Sequence, residues 1–202
     1  MTNSSATPPR IPPLPPADWT PEQREILTAD LGEGSPLGAA TLGQLNLFTT
    51  VARHDRSFKA LLLLGRTLLM RGALPFADRE LLILRVARNT GSEYEWGQHL
   101  KIAVDGGVER GKVDRVAAGP EAAGWEERER FLLRAADELH SSAKIADATW
   151  AGLAAHLDER QLIELPLLVG YYTMVAYTLY RVELLGKRLD ANLRELREIL
   201  TA

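Results

Sequence analysis

Three features of the chain predict an all-α fold. From residue 45 onward apolar residues recur at three- and four-residue spacing almost without interruption. No segment shows the two-residue alternation of a half-buried strand, and no strand–helix–strand rhythm is present. Residues that start and stop helices fall where the periodic segments end.

Residues 1–19 read as a proline-rich N-terminal arm. Six of the eleven prolines lie there with almost nothing to bury, which favours extended, polyproline-like backbone or disorder. Helical order begins at Thr20-Pro21-Glu22-Gln23, where Thr20 and Gln23 form a capping box and Pro21 suits the first turn. This first helix is expected to run to about Asp30, and GEGSPLGAATLG is a loop. LNLFTTVAR and SFKALLLLGRTLLMRG follow as two apolar-rich helices broken near His54 and Asp55. LPFADRELLILRVARNTG is a third segment, with Asp78 available as its cap and Gly91 as its stop. SEYEWGQHLKIAVDGG is opened by Ser92 and closed by Gly106 and Gly107. VERGKVDRVAAG is short. WEERERFLLRAADELHSS and DATWAGLAAHL precede a long helix at 159–186 and a final charged helix. Neither an internal repeat nor a linker divides residues 20–202, which are therefore read as a single helical domain.

The middle of the long helix, 165–180, is apolar nearly all round, so it should be surrounded on most sides. Pro166 should kink or restart it. A bundle of this size encloses few positions completely, which makes a subunit interface a second cover and points to a homo-oligomer. The alternative is the central core helix of a monomer.

Composition narrows the function. The 202 residues are 46% hydrophobic and 25% charged, with a net charge of −3, the balance of an ordinary soluble protein. No basic face is present for nucleic acid or an anionic membrane. The chain has no cysteine, which excludes disulfides, thiolate nucleophiles and cysteine-ligated metals together. The N-terminus lacks the apolar run of a secretory signal. The longest uncharged stretch is shorter than the roughly 20 apolar residues of a bilayer span. A soluble, cytoplasmic protein is expected, with no membrane or nucleic-acid partner.

The chemistry concentrates after residue 78. On a helical wheel Ser92, Glu95, Trp96, His99, Ile102 and Ala103 share one stripe, with Tyr94, Gln98, Lys101 and Asp105 opposite. The stripe that should face the core thus holds a carboxylate and an imidazole at i and i+4. On the preceding helix Glu80 shares a face with Ile83, Leu84 and Ala87. Burying such groups without partners costs several kcal/mol, so something must satisfy them. Two carboxylates and a histidine directed inward from neighbouring helices outline a proton-transfer site, expected within a mostly apolar pocket. A buried Glu–His hydrogen bond that only fixes helix packing is the competing reading.

These residues also carry a resemblance. LPFADRELLILRVARNTGSEYEWGQHLKIAVDGG, with LNLFTTVARHDRSFKALL upstream, resembles the carboxymuconolactone decarboxylase family, which includes the alkyl hydroperoxidase D proteins. The match is specific over about residues 45–120 and by helical pattern alone to about 187. In the peroxidase branch a glutamate is followed by a CxxC pair and a histidine. Here Glu80 holds the glutamate position, Ser92 and Glu95 the two cysteine positions, and His99 the histidine position. The resemblance implies an alkyl hydroperoxidase D-like helical bundle, homo-oligomeric, as a trimer or a multiple of it.

Without thiols, dithiol peroxidase chemistry is impossible. The remaining set resembles the decarboxylase side of the family, which implies a cofactor-independent lyase acting on a small unsaturated carboxylic acid or lactone. His99 is the candidate general acid/base. Glu80 would orient it, and Glu95 would be a second acid/base or would polarise a substrate carbonyl. Ser92, Trp96, Tyr94 and Arg85 are the candidate substrate-binding residues, Arg85 as the cation for a substrate carboxylate. A related isomerase or cyclase, or a non-catalytic binding oligomer, is the alternative. No cofactor and no metal are expected. Glu95, His99 and Glu80 would make a poor metal set, with one histidine and no HxxxH or HExxH pattern. A Ser92–His99–Glu80 triad lacks a GxSxG elbow around the serine. Tyr171, Tyr172 and Tyr177 read first as oligomer core and second as pocket lining. His54 reads as a helix C-terminal cap, and His140 and His156 as solvated helix ends.

Overall fold

The computed structural model describes residues 9–29 and 41–181; its α-helices follow the segments with helical spacing, while two 3-10 turns, Pro16–Asp18 and Leu42–Gln44, fall in the arm expected to be extended and at the end of the expected loop. Most of the predicted 32–43 loop and the charged C-terminal helix lie outside the described residues. The helices are α1 (Pro21–Thr28), α2 (Asn46–Val51), α3 (Asp55–Met70), α4 (Phe76–Thr90), α5 (Glu93–Asp105), α6 (Arg110–Ala118), α7 (Glu127–Ser142), α8 (Asp147–Ala154) and α9 (Glu159–Arg181). Two compact units are present, with boundaries inside α3 and α9: Gly65–Ala176, and Met1–Leu64 with Tyr177–Ala202.

In the unit containing the N-terminal region, Thr20 opens α1 with the expected capping box to Gln23. Gln23 then reaches back, its carboxamide donating to the Ala52 carbonyl at 2.8 Å. Leu27, Leu42, Ala52 and Phe58 form a small core, covered in part by Leu14 and Trp19. The proline-rich segment docks there: Leu14 N donates to Thr49 O at 2.9 Å and Arg53 Nε to Pro12 O at 2.8 Å. His54 accepts from Ser57 N through its ring Nδ1 at 3.3 Å. It therefore caps the N-terminus of α3 rather than the C-terminus of α2.

In the Gly65–Ala176 unit, α4 is the central element and packs on α5, α6 and α7. Its core includes Leu81 and Leu84 from α4, Leu100 and Ala103 from α5, Val113 and Val116 from α6, and Leu133 from α7. Gly91 ends α4 in the left-handed region, with φ 69°, where L-residues other than glycine are strained. Ser92 immediately caps α5, its hydroxyl accepting from Glu95 N. This two-residue connection brings α4 and α5 side by side and sets the register of their inward faces.

Three local expectations are corrected. Asp78 does not cap α4: the cap position is Pro75, and Asp78 lies in the first turn, buried against Arg128. Pro166 sits inside α9, which continues through it without a restart; the proline removes only the donor to the Leu162 carbonyl. The middle of α9 is not enclosed all round. Leu165, Leu168, Val169, Tyr172 and Val175 are buried, whereas Ile163, Leu167, Gly170 and Met174 are exposed. By length and apolar composition α9 could cross a membrane, yet its polar residues serve the fold. Glu164 accepts from Ala73 N and Leu74 N, and Gln161 donates to Ala73 O, holding the turn that leads into α4.

Candidate active site

The site is assembled where α5 crosses the N-terminal half of α4. Glu80 on α4 is completely buried, at 0% exposure. Its Oε2 lies 2.7 Å from His99 Nδ1 on α5. Its Oε1 accepts two hydrogen bonds from Arg79, from Nε at 3.1 Å and Nη2 at 3.0 Å. Arg79 is held in turn by donating through Nη1 to the Leu69 carbonyl at the end of α3 and by lying over the Phe76 ring, 4.9 Å from its centroid. The buried charge of Glu80 is thus compensated on both oxygens, the condition under which a carboxylate can remain ionised in a core.

His99 is fixed on a second side. The Tyr172 ring on α9 meets it edge-on, with centroids 4.9 Å apart at 90°, and Tyr171 packs against Tyr172 at 5.3 Å. Tyr172 therefore belongs to the site, and Tyr171 backs it. Tyr177, by contrast, is exposed.

Glu95 differs sharply from Glu80. It is 2% exposed, and neither carboxyl oxygen has a hydrogen-bond partner. Burial pushes its carboxyl up to about 8; the Ser92 hydroxyl pulls the other way without closing a hydrogen bond to either oxygen. Glu95 is thus a proton-bearing acid at neutral pH. Burial, with the Glu95 charge adding in the same direction, pushes the hydroxyls of Tyr94 and Tyr171 up to about 12. Both stay protonated, so they can donate hydrogen bonds but do not act as bases.

Glu80 and His99 are hydrogen-bonded; no hydrogen bond joins Glu95 to either. Ser92 is buried as the α5 cap. Tyr94 is half-buried within electrostatic reach of Glu95. Trp96 is partly buried and packs against the core shared by α4, α5, α6 and α7. Arg85 is not available to a substrate carboxylate. Its Nε and Nη2 clamp Asp137 of α7, the latter at 2.7 Å, and Nη1 donates to Val116 O at 2.9 Å. Arg79 is the residue that sequence reasoning missed. Consecutive helical residues diverge by 100°, so a wheel separates Arg79 from Glu80, and only a long side chain folding back along the helix reunites them. Among the described residues, no group of three His, Cys, Asp or Glu side chains is placed to hold a metal ion.

Comparison with known proteins follows the same segment. Residues 56–138 match the carboxymuconolactone decarboxylase family. None of the curated proteins matches the chain significantly. Among solved structures, the alkylhydroperoxidase AhpD core protein of Ralstonia eutropha, an uncharacterized peroxidase-related protein, aligns with a TM-score of 0.74 at 17% identity, over 90% of this chain and 94% of that one. The debrominase Bmp8 in complex with 2,3,4-tribromopyrrole aligns with a TM-score of 0.73 at 19% identity, over 92% and 96%. A putative antioxidant defence protein AhpD from Agrobacterium tumefaciens aligns with a TM-score of 0.61 at 18% identity, over 66% and 92%. At these identities the likeness establishes the fold, an all-α AhpD-like helical bundle. The segment that carries Glu80, Glu95 and His99 is thus similar to the carboxymuconolactone decarboxylase family, in a chain without a CxxC pair.

Proposed function

We propose that the protein is a cofactor-independent carbon–carbon lyase of the decarboxylase type, acting by acid/base proton transfer on a small unsaturated carboxylic acid or lactone. The observation that carries this reading is the contrast between two buried carboxyls on adjacent helices. Glu80 is charge-compensated and bound to His99, whereas Glu95 bears its proton and has no protein partner. Groups whose environments push their protonation apart can divide the roles of acid and base.

The chemistry needed is modest. When the bond to the carboxylate breaks, CO2 leaves and the electron pair moves into the conjugated system of the substrate. A proton must then reach the carbanionic carbon. Glu95, as a neutral acid, can supply that proton or hydrogen-bond a carbonyl oxygen as negative charge accumulates there. His99, braced by Glu80, relays the replacement proton from water. The debrominase of the same fold was solved with a bromopyrrole, so this scaffold accommodates a small unsaturated ring in at least one other protein. We place the protein in the cytoplasm as a homo-oligomer, a trimer or a multiple of it, with no nucleic-acid or membrane partner.

The test is a panel of unsaturated lactone acids and their non-lactone analogues, followed by CO2 release and by deuterium incorporation from solvent. Decarboxylation with solvent deuterium at the former carboxyl-bearing carbon supports the reading. His99→Ala and Glu95→Gln should each reduce turnover by about 10²-fold or more with the fold retained. Turnover unchanged in both variants would overturn it. Deuterium exchange without CO2 release would move the assignment to an isomerase on the same residues.

A further inference from the structure

We infer that Arg79 is a positioning residue that keeps Glu80 a carboxylate and thereby sets the His99 tautomer, with hydrogen on Nδ1 and a free lone pair on Nε2. This deepens the proposed function, because it decides which ring nitrogen is presented as the base; the structural part stands without any substrate.

The argument begins with the hydrogen shared between Glu80 Oε2 and His99 Nδ1, 2.7 Å apart. Two arrangements fit that distance. An ionised Glu80 accepts from an Nδ1–H, leaving Nε2 as an acceptor. A protonated Glu80 donates to a bare Nδ1, and a neutral ring then carries its hydrogen on Nε2. The choice between them is made at Glu80, since the hydrogen bond on one ring nitrogen fixes the state of the other.

Arg79 selects the first arrangement. Its Nε and Nη2 both donate to Oε1, a charge-assisted fork that a protonated carboxyl could not match in strength. Arg79 cannot readily turn away, because Nη1 is engaged by the Leu69 carbonyl and the guanidinium lies over Phe76. The charge is also poorly screened: the Arg79 side chain is 11% exposed and that of Glu80 0%. The Tyr172 edge restricts rotation of the ring, so a flip exchanging Nδ1 and Nε2 is opposed sterically as well.

The experiment is nitrogen NMR of the full-length protein labelled at histidine, read at a pH where His99 is neutral. The wild type should show His99 with a protonated Nδ1 and an unprotonated Nε2. Arg79→Met should move the population toward the Nε2–H tautomer. Arg79→Lys, which restores the charge on one nitrogen without the planar fork, should recover most of the wild-type signal. Glu80→Gln supplies the reference for the flipped state, because its amide can donate to Nδ1. If Arg79→Met does not fold, Arg79→Gln decides, since it retains donors and drops only the charge. An unchanged Nδ1–H signal in the folded variant lacking the charge would overturn the inference. Normal turnover in both His99→Ala and Glu95→Gln would instead sink the proposed function while leaving the tautomer result intact.

Discussion

His99 Nδ1 lies 2.7 Å from Glu80 Oε2 across the α4–α5 pair, while Glu95, one turn earlier on α5, leaves both carboxyl oxygens without a hydrogen bond. One carboxyl is partnered on both oxygens, and the other is held in conditions that favour the neutral acid. The peroxidase branch that this segment resembles is expected to carry a cysteine at the Glu95 position. Here a carboxyl replaces it at a position where a small apolar residue would fit the core at lower cost. A group retained against its solvation preference is a candidate for function.

That cost is measurable. Glu95 has a native pKa of about 8 against an ordinary value of 4.5. Its native pKa is raised, so the native state holds the proton more tightly than the unfolded chain. The corresponding stability is fully present below pH 4.5, falls as pH rises through 8, and is lost above it. The full difference is about 5 kcal/mol at 1.36 kcal/mol per pH unit. Glu95→Gln, which is neutral at every pH, should melt close to the wild type at pH 5 and at a clearly higher temperature at pH 9. Melting curves that stay parallel across this range would show that Glu95 has found a partner in solution.

Glu80 should behave in the opposite way. Removing its carboxylate leaves the Arg79 guanidinium buried without a counter-charge, so Glu80→Ala should cost about 3–5 kcal/mol in denaturant unfolding, typical of a broken buried pair. Adding Arg79→Met should recover part of that loss, because the orphaned charge is then gone. Additive losses in the double variant would show that the two residues are not energetically coupled.

A second buried carboxyl permits the same test away from the site. Asp78 is fully buried, its oxygens lack hydrogen bonds, and Arg128 Nη2 stands 3.0 Å from Oδ1. Burial raises the Asp78 carboxyl above its ordinary value of 3.8 and outweighs the opposing pull of Arg128. Stability from this group is therefore lost as pH rises above 3.8. Asp78→Asn should gain on the wild type over that window, whereas Arg128→Met should lose stability at neutral pH. A loss of stability in Asp78→Asn over that window would mean that the ion pair outweighs desolvation.

Much of this architecture was legible in the residues themselves. Thr20 with Gln23, Gly91 and Ser92 set helix ends through local backbone chemistry, so the sequence alone could place them. Glu80 and His99 were legible because an acid and an imidazole on inward stripes demand a partner. Arg79, Arg85 and Tyr172 were not, for a common reason: each is defined by what its far end reaches. Arg85 looked free until Asp137, on α7, came alongside it. Tyr172 reads first as oligomer core and only second as pocket lining, because its contact with His99 exists only once α9 has packed. The exposed side of α9 was hidden in the same way, since apolar composition does not say which positions the rest of the molecule covers.

Thiol chemistry gives a prediction of opposite sign to the relatives. With no cysteine in the sequence, the protein should not reduce organic hydroperoxides with a dithiol donor, and alkylating agents should leave any activity untouched. Hydroperoxide turnover above a buffer control would reveal a redox group other than a thiol.

The last prediction concerns the assembly. On α9, Ile163, Leu167 and Tyr177 are 64%, 52% and 58% exposed. With Gly170 and Met174 between them they recur at alternating four- and three-residue intervals, which places them on one stripe of the helix. Gly170 adds a flat step, since nothing lies within 4 Å of a Cβ built there, and a neighbouring backbone could approach closely at that point. A long apolar stripe facing water marks an interaction surface, and a second copy of the chain is the occupant consistent with the proposed homo-oligomer. Light scattering at micromolar concentration should give a trimer or a multiple of it. Leu167→Glu should shift the protein toward monomer, because a charge in a closing apolar seam must be desolvated once per copy. The same variant should keep the Glu80–His99 pair, whose residues lie on α4 and α5. A monomeric wild type at that concentration would remove self-association through α9 from the account.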